Sequence, residues 1–272
     1  MTHTAHTSPT HSVVLGTSPL VISVPHGGTA LPPELAPELT PLALTVPDTD
    51  WHVDKLYGFA ATLGAALIMA RQSRYLIDLN RPPDDAALYS ASPQTGLCPA
   101  LSFAGEALYL DGRPTVPAAE VARRRTQYWQ PYHAELRALL DTARTKHGYA
   151  LLLDAHSIRS VVPRLFDGRL SDINIGTNDG RSCAPRVTAA LRPLLESTSR
   201  WSHVVDGRFK GGHITRHYGQ PAHGVHALQI ELAQCSYMDE SGTAYDVASA
   251  APLQELLRTL LETLLALPLK AA

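Results

Sequence analysis

The sequence predicts an α/β fold, a three-layer αβα sandwich, and three observations carry that expectation. Apolar strand-like runs alternate with amphipathic helical stretches, the order of a sheet covered by helices on both faces. Four of the runs, VISVPH, RYLIDLNR, YALLLDAH and HALQIE, end in polar side chains at His26, Arg81, His156 and Glu231, as strands do when they deliver functional groups to one rim of a sheet. The 272 residues suffice for one large core, and no linker-like stretch divides them.

Taken in order, residues 1–12 (MTHTAHTSPTHS) read as a flexible N-terminal tail, Thr-rich and interrupted by proline. His3, His6 and His11 are therefore set apart from any site, and residues 13–272 are expected to form a single catalytic domain. A buried strand is expected over 20–25, ended by Pro25-His26-Gly27-Gly28, where glycine lets backbone approach a ligand. Val53, Leu56, Tyr57, Ala60 and Leu63 recur at helical spacing up to about Ala66, with Asp48 and Asp50 just ahead. Short strands follow at 67–70 and 74–79, then an irregular Pro- and Gly-containing stretch over 80–117, long enough to act as a lid. A helix over 118–146 is kinked or divided by Pro131, which lacks an amide hydrogen. Strands at 149–154, 172–176, 202–206 and 226–232 enclose a helix at 184–197. A final helix carries a stripe of Leu253, Leu256, Leu257, Leu260, Leu261, Leu264 and Leu265, with Pro252 suited to its first turn.

Composition narrows the function. Lys plus Arg total 23 against 25 Asp plus Glu, a formal charge of -2, so there is no broad basic face for nucleic acid or anionic lipid, and a small molecule is the expected partner. Cys98, Cys183 and Cys235 are odd in number and far apart, which fits a reducing, cytoplasmic setting better than a disulfide framework. No stretch reaches the roughly 20 apolar residues of a membrane span.

The rim residues suggest hydrolytic metal chemistry. His26 and His156 each end an apolar run, and either alone would pass for a buried, hydrogen-bonded histidine. Together they call for a third ligand from the acidic segment: Asp50 is preferred, with Asp48 and Asp54 as alternatives and helix capping as the plainer role for one of the pair. Asp154, two residues before His156 on the same strand face, is placed to orient that imidazole. Glu231 sits in the apolar strand HALQIELA, where a carboxylate is costly without a purpose, and burial would raise its pKa toward the range of a general base. Arg74, Asn80 and Arg81 bracket YLIDL and can grip a carboxylate or neutralise an oxyanion. The segment 210–219, KGGHITRHYG, reads as a loop for anionic ligands through His213 and Arg216. Neither a Walker loop nor a Gly-x-Ser-x-Gly elbow is present.

The combination of SVPHGG, DTDWHVDKLY, RYLIDLNRPP, LLLDAHSI, NIGTNDGRSC and GGHITRHYGQPAHGVHALQIELAQCSYMDE resembles the N-formylglutamate amidohydrolase family over about residues 20–265. The resemblance implies a phosphorylase/hydrolase-like fold with a mixed central sheet, shared with zinc carboxypeptidases and aspartoacylase, and removal of formate from N-formyl-L-glutamate during histidine degradation. It also implies zinc, or another divalent metal, on His26, His156 and a carboxylate of DTDWHVD, with Glu231 as the catalytic base. By similarity to the aspartoacylase segment, Arg74 faces the carbonyl oxygen while Asn80 and Arg81 hold a substrate carboxylate. A dicarboxylate product suggests separate contacts at Arg81 and Arg216. A deacylase or carboxypeptidase-like enzyme for another N-acyl amino acid or peptide is the alternative, and a monomer or small homo-oligomer is expected.

Overall fold

The computed structural model describes residues 5–88 and 95–270. Its sheet has eight strands: β1 (Ala5–Thr7), β2 (His11–Val14), β3 (Leu20–Val24), β4 (Ala66–Ala70), β5 (Ala150–Ile158), β6 (Ile173–Gly176), β7 (His203–Val205) and β8 (Val225–Ala233). They lie in the order β1-β2-β4-β3-β5-β8-β6-β7. The run β4-β3-β5-β8 is parallel, while β2 and β6 enter antiparallel to β4 and β8, so the sheet is mixed as expected. The nine-residue strands β5 and β8 are buried along their whole length. Such continuous apolar runs are the mark of strands covered on both faces.

Among the described residues seven α-helices accompany the sheet: α1 (Pro41–Leu44), α2 (Val53–Leu56), α3 (Ala118–Arg124), α4 (Gln130–His147), α5 (Pro185–Ser197), α6 (His213–Tyr218) and α7 (Val247–Leu265). The two faces carry separate cores. Leu20, Ile22, Leu151, Leu153, Leu228 and Ile230 pack with Leu253, Leu257 and Leu261 of α7 and with α5. Their strand neighbours Val21, Ala150, Leu152 and Ala227 point the other way, toward Tyr132, Leu136 and Leu140 of α4. This alternation makes three layers. No described helix is long and apolar enough to cross a membrane.

Several expectations are corrected. Residues 5–7 and 11–12 of the supposed tail lie in strands: β1 pairs with β2, and β2 pairs with β4 from His11↔Ala70 to Val14↔Leu67. Buried His11 and Val13 alternate with half-buried Ser12 and Val14, as in a half-buried strand, which the Thr-rich composition hides. The helix expected from Val53 to about Ala66 is a single turn, α2, followed by a 3₁₀ segment over Gly58–Leu63. Pro131 does not divide its helix. It is the second residue of α4, directly after a π-helical stretch over Arg125–Trp129, so the chain continues from α3 into α4. Pro252 sits inside α7, whose start is capped instead by Asp246 through the Ala248 and Ser249 amides.

The segment 74–79 is not a strand, because carbonyl groups within it and just after it find side-chain donors rather than a neighbouring strand. Arg124 donates to Leu76 O at 2.9 Å, His133 Nε2 contacts Leu79 O at 2.9 Å, Trp129 Nε1 donates to Arg81 O at 3.0 Å and Arg125 donates to Pro83 O at 3.0 Å. All four donors come from the α3–α4 helix, which satisfies the backbone polar groups that a ladder would otherwise take.

Candidate active site

The polar ends of β3, β5 and β8 meet at one rim, as the sequence predicts, and the pairing register decides which groups touch. His156 is opposite Glu231 across β5 and β8. Asp154 shares the face of His156, two residues back. β5 runs on to Ile158, four residues past the expected boundary at 154, so His156 lies within the strand. His26 follows β3 in the turn Pro25-His26-Gly27-Gly28. A Cβ on Gly28 would lie 2.5 Å from the backbone at Arg71 and Gln72, so only glycine lets this turn press against the chain after β4. Asp50 is drawn in by its own amide, which donates to His26 O at 3.1 Å.

His26, Asp50 and His156 are buried, and their ligand atoms lie within 4.8 Å of one another. Asp50 Oδ2 is 3.0 Å from His156 Nδ1 and 3.7 Å from His26 Nδ1, and it accepts the Ser157 amide at 3.2 Å. Asp50 is thus the carboxylate of the cluster. Asp48 is committed elsewhere, accepting Tyr75 Oη and the Phe103 amide at 2.7 Å each.

The outer nitrogens of the two imidazoles show a matching arrangement. His26 Nε2 is 2.7 Å from Asp78 Oδ1, and His156 Nε2 is 2.8 Å from Asp154 Oδ1. Both rings therefore turn Nδ1 inward with a carboxylate behind them. Carboxylates in this position fix tautomer and orientation in metal-ligating histidines. His26 Nδ1 is buried with no hydrogen-bond partner, a costly state for a polar atom unless something binds it. Two inward imidazoles and a carboxylate form a donor set that fits a divalent metal.

Charge is concentrated here. Burial alone would raise the pKa of Asp50, but hydrogen bonds and charge from His156 and His26 outweigh it and hold the carboxylate below its usual range. Burial likewise opposes charge on His156, yet Asp154 and Asp50 keep it well above the ordinary imidazole value. Asp78, buried, is held low by His26 and Arg74. Glu231 goes the other way. Burial pushes it up to about 8, with Asp50 and Asp154 adding to the rise and His156 and Arg74 opposing it. Its Oε2 accepts from Gln229 Nε2 at 3.1 Å, and Gln229 Oε1 accepts the Gly212 amide at 2.8 Å.

These residues line a cavity of about 660 Å³ together with Arg74, Asn80, Arg81, Phe103 and Arg208. Arg74 is held by Asp78 at 2.7 Å and by Asp50 at 3.6 Å, with its guanidinium 4.6 Å from the Phe103 ring centre. Arg81 donates to Thr95 Oγ1, another lining group, at 3.2 Å. Asn80 is largely structural: Nδ2 donates to Asp154 Oδ2 at 2.9 Å, and Oδ1 accepts the Ile214 amide at 2.7 Å.

The segment 210–219 differs most from expectation. It is not a loop but leads into α6, whose first turn is tied to Asn80 through the Ile214 amide and, from His213 N to Asn80 O, a 3.1 Å bond. A Cβ on Gly212 would come within 2.4 Å of the Asn80 amide group. His213 and Arg216 do not line the cavity. His213 is stacked on His217 and tilted against Trp129, while Arg216 Nε donates to Gly211 O at 2.7 Å. The cation on that wall is Arg208, which the sequence reading passed over, with Nε donating to Leu165 O at 2.7 Å. Asp78 and Gln229 were also missed as site residues. Gln229 could have been found by its parity with Glu231, whereas no local signal separates Asp78 from an ordinary polar residue in RYLIDLNR.

The model of the family described as N-formylglutamate amidohydrolase matches residues 18–238. The chain is 51% identical over 253 residues to N-formylglutamate deformylase of Pseudomonas aeruginosa, covering 92% of this chain and 94% of that protein. It is 50% identical to the enzyme of the same name from Pseudomonas putida, with the same coverage. The crystal structure of N-formylglutamate amidohydrolase from Ralstonia eutropha JMP134 superposes with a TM-score of 0.79 at 27% identity, over 94% of this chain and 97% of that one. A gene product of Agrobacterium tumefaciens, at 20% identity and a TM-score of 0.70 over 94% and 96%, shares the fold.

Proposed function

The chain belongs to the N-formylglutamate amidohydrolase family, and from that premise we propose that it hydrolyses N-formyl-L-glutamate to formate and L-glutamate with the help of a divalent metal, zinc foremost. The observation that carries the metal half of this reading is the buried His26 Nδ1, which has no hydrogen-bond partner and faces Asp50 and His156. The curated relatives' activity and their identity of about half the aligned residues support the substrate.

His26, Asp50 and His156 would hold the metal, and a bound metal supplies Lewis acidity to the amide hydrolysis. Glu231 takes a proton from the attacking water, a role suited to a carboxylate whose pKa is raised to about 8 by burial. It then gives a proton to the departing nitrogen, so that water's oxygen is joined to the formyl carbon as the C–N bond breaks. Gln229 keeps Glu231 aimed by its hydrogen bond to Oε2. Arg74, fixed by Asp78 and Asp50, offers a guanidinium to the charge that develops on the carbonyl oxygen. Arg81 and Arg208 sit on the cavity wall and suit the two carboxylates of glutamate, with Arg208 taking the part first expected of Arg216.

The test is formate release from N-formyl-L-glutamate beside N-acetyl-L-glutamate, before and after chelation and zinc restoration. Chelator-sensitive release from the formyl compound is the expected result. No release from metal-loaded protein would overturn the substrate, and full activity after metal is stripped would overturn the metal.

A further inference from the structure

A second cavity, of about 690 Å³, adjoins the catalytic one; Leu42, Pro47, Val161, Val162 and Pro163 form its apolar side, and Asp48, Glu106, Arg159 and Gln234 also line it. The two cavities share Phe103, Ser157 and Ile158. Ser157 and Ile158 belong to β5 and are fixed by the sheet, which leaves the Phe103 ring as the movable part of the partition. That ring is set with care. Its backbone amide donates to the Asp48 carboxylate at 2.7 Å, its face lies 4.6 Å from the Arg74 guanidinium, and its edge packs with Ile158, Val162 and Leu165.

We propose that Phe103 is the residue that restricts the acyl group to formyl, and that the apolar side of the cavity beyond it fits the alkyl chain of short N-acyl-L-glutamates once the ring is removed. This rests on the deformylase reading, in which the carbonyl oxygen faces Arg74. The acyl carbon then lies beside the Phe103 ring that covers Arg74. A formyl group carries only hydrogen there, whereas any longer acyl group carries carbon. The mostly apolar side of the cavity beyond the ring, formed by Leu42, Pro47, Val161, Val162 and Pro163, suits an alkyl chain. The reaction is unchanged: water's oxygen goes to the acyl carbon, the C–N bond breaks, and an ammonium and a carboxylate are released.

The experiment compares kcat/KM for N-formyl-, N-acetyl- and N-butyryl-L-glutamate in the wild type, Phe103→Leu, Phe103→Ala and Phe103→Trp. Discrimination of a methyl or methylene by an apolar pocket is worth about 10–200-fold. The butyryl-to-formyl ratio is therefore expected to rise at least about tenfold from wild type to Leu and again to Ala, and to fall in Trp. An unchanged or falling ratio in both Leu and Ala overturns the proposal. So does loss of all activity in both, which would mean that the ring holds Arg74 rather than bounding the acyl pocket. If Phe103→Ala alone is inactive, Phe103→Leu decides. Wild-type turnover of the formyl compound is the control: its absence would strike the deformylase reading, whereas its presence with an unmoved ratio strikes only the role of Phe103.

Discussion

Asp78 and Glu231 are both buried carboxylates within one cavity, yet they do opposite things. Asp78 stays charged, at the back of His26 and beside Arg74, whereas Glu231 is raised to about 8 with only Gln229 donating to it among the described contacts. Substitution should separate them. Glu231→Gln is expected to lower kcat by about 10²–10⁴-fold while metal content is retained. Asp78→Asn is expected to weaken metal affinity by about 10–100-fold, read as zinc retained against a competing chelator. Equal metal loss in both variants would refute the division. The two histidines and Asp50 were legible because each stands at the polar end of an apolar run or in an acidic segment ahead of a helix. Asp78 was not, because nothing local distinguishes it from a polar residue on a half-exposed strand. Only the fold shows that it backs an imidazole 52 residues away.

At the scale of elements, the long apolar strands and α5 and α7 could be read directly, since periodicity and burial agree there. The failures share one cause. Residues 74–79 alternate like a strand, but their carbonyl groups are claimed by Arg124 and His133, and that of Arg81 just beyond by Trp129, all from the α3–α4 helix some fifty residues later. Likewise α6 is concealed by its Gly-Gly start and held by Asn80 from another part of the chain. The helix therefore acts as a splint for the segment that carries Asp78, Asn80 and Arg81. Trp129→Ala removes a donor to Arg81 O and a ring stacked 3.7 Å from His133. It is expected to cost stability, though less than the about 3–5 kcal/mol of a fully buried tryptophan, and, at temperatures where the variant is folded, to raise KM more than it lowers kcat, since Arg81 moves and Glu231 does not. A kcat effect alone would argue against the splint.

For the molecule as a whole, acid is expected to destabilise through His133. Burial, with help from His213, His217 and Arg137, lowers its pKa to about 3 against the favourable Leu79 carbonyl. The unfolded imidazole titrates near 6.5, so the native state is fully favoured above that pH, and stability is lost as pH falls toward 3. At pH 4 the loss is about 3 kcal/mol. Glu231 contributes with the opposite sign: native Glu231 binds a proton up to pH about 8 that the unfolded chain has released above about 4.5, so its contribution improves as pH falls between those values. Comparing urea midpoints of wild type and His133→Gln from pH 7 to 4 cancels the glutamate. The wild-type midpoint should fall more steeply, and parallel curves would exclude His133 as the source.

The placement of β1 and β2 outside β4 has a consequence for how the protein behaves in solution. β4 is paired on one side with β3 and on the other with β2, so residues 5–14 act as a cover over what would otherwise be a row of open amide and carbonyl groups. Unpaired sheet edges of this kind recruit strands from other molecules. A chain shortened to begin after Val14 should keep the rim residues in place yet self-associate, eluting from a sizing column earlier than the full-length chain, with the excess growing with concentration. The first dozen residues would then matter for solubility rather than for catalysis.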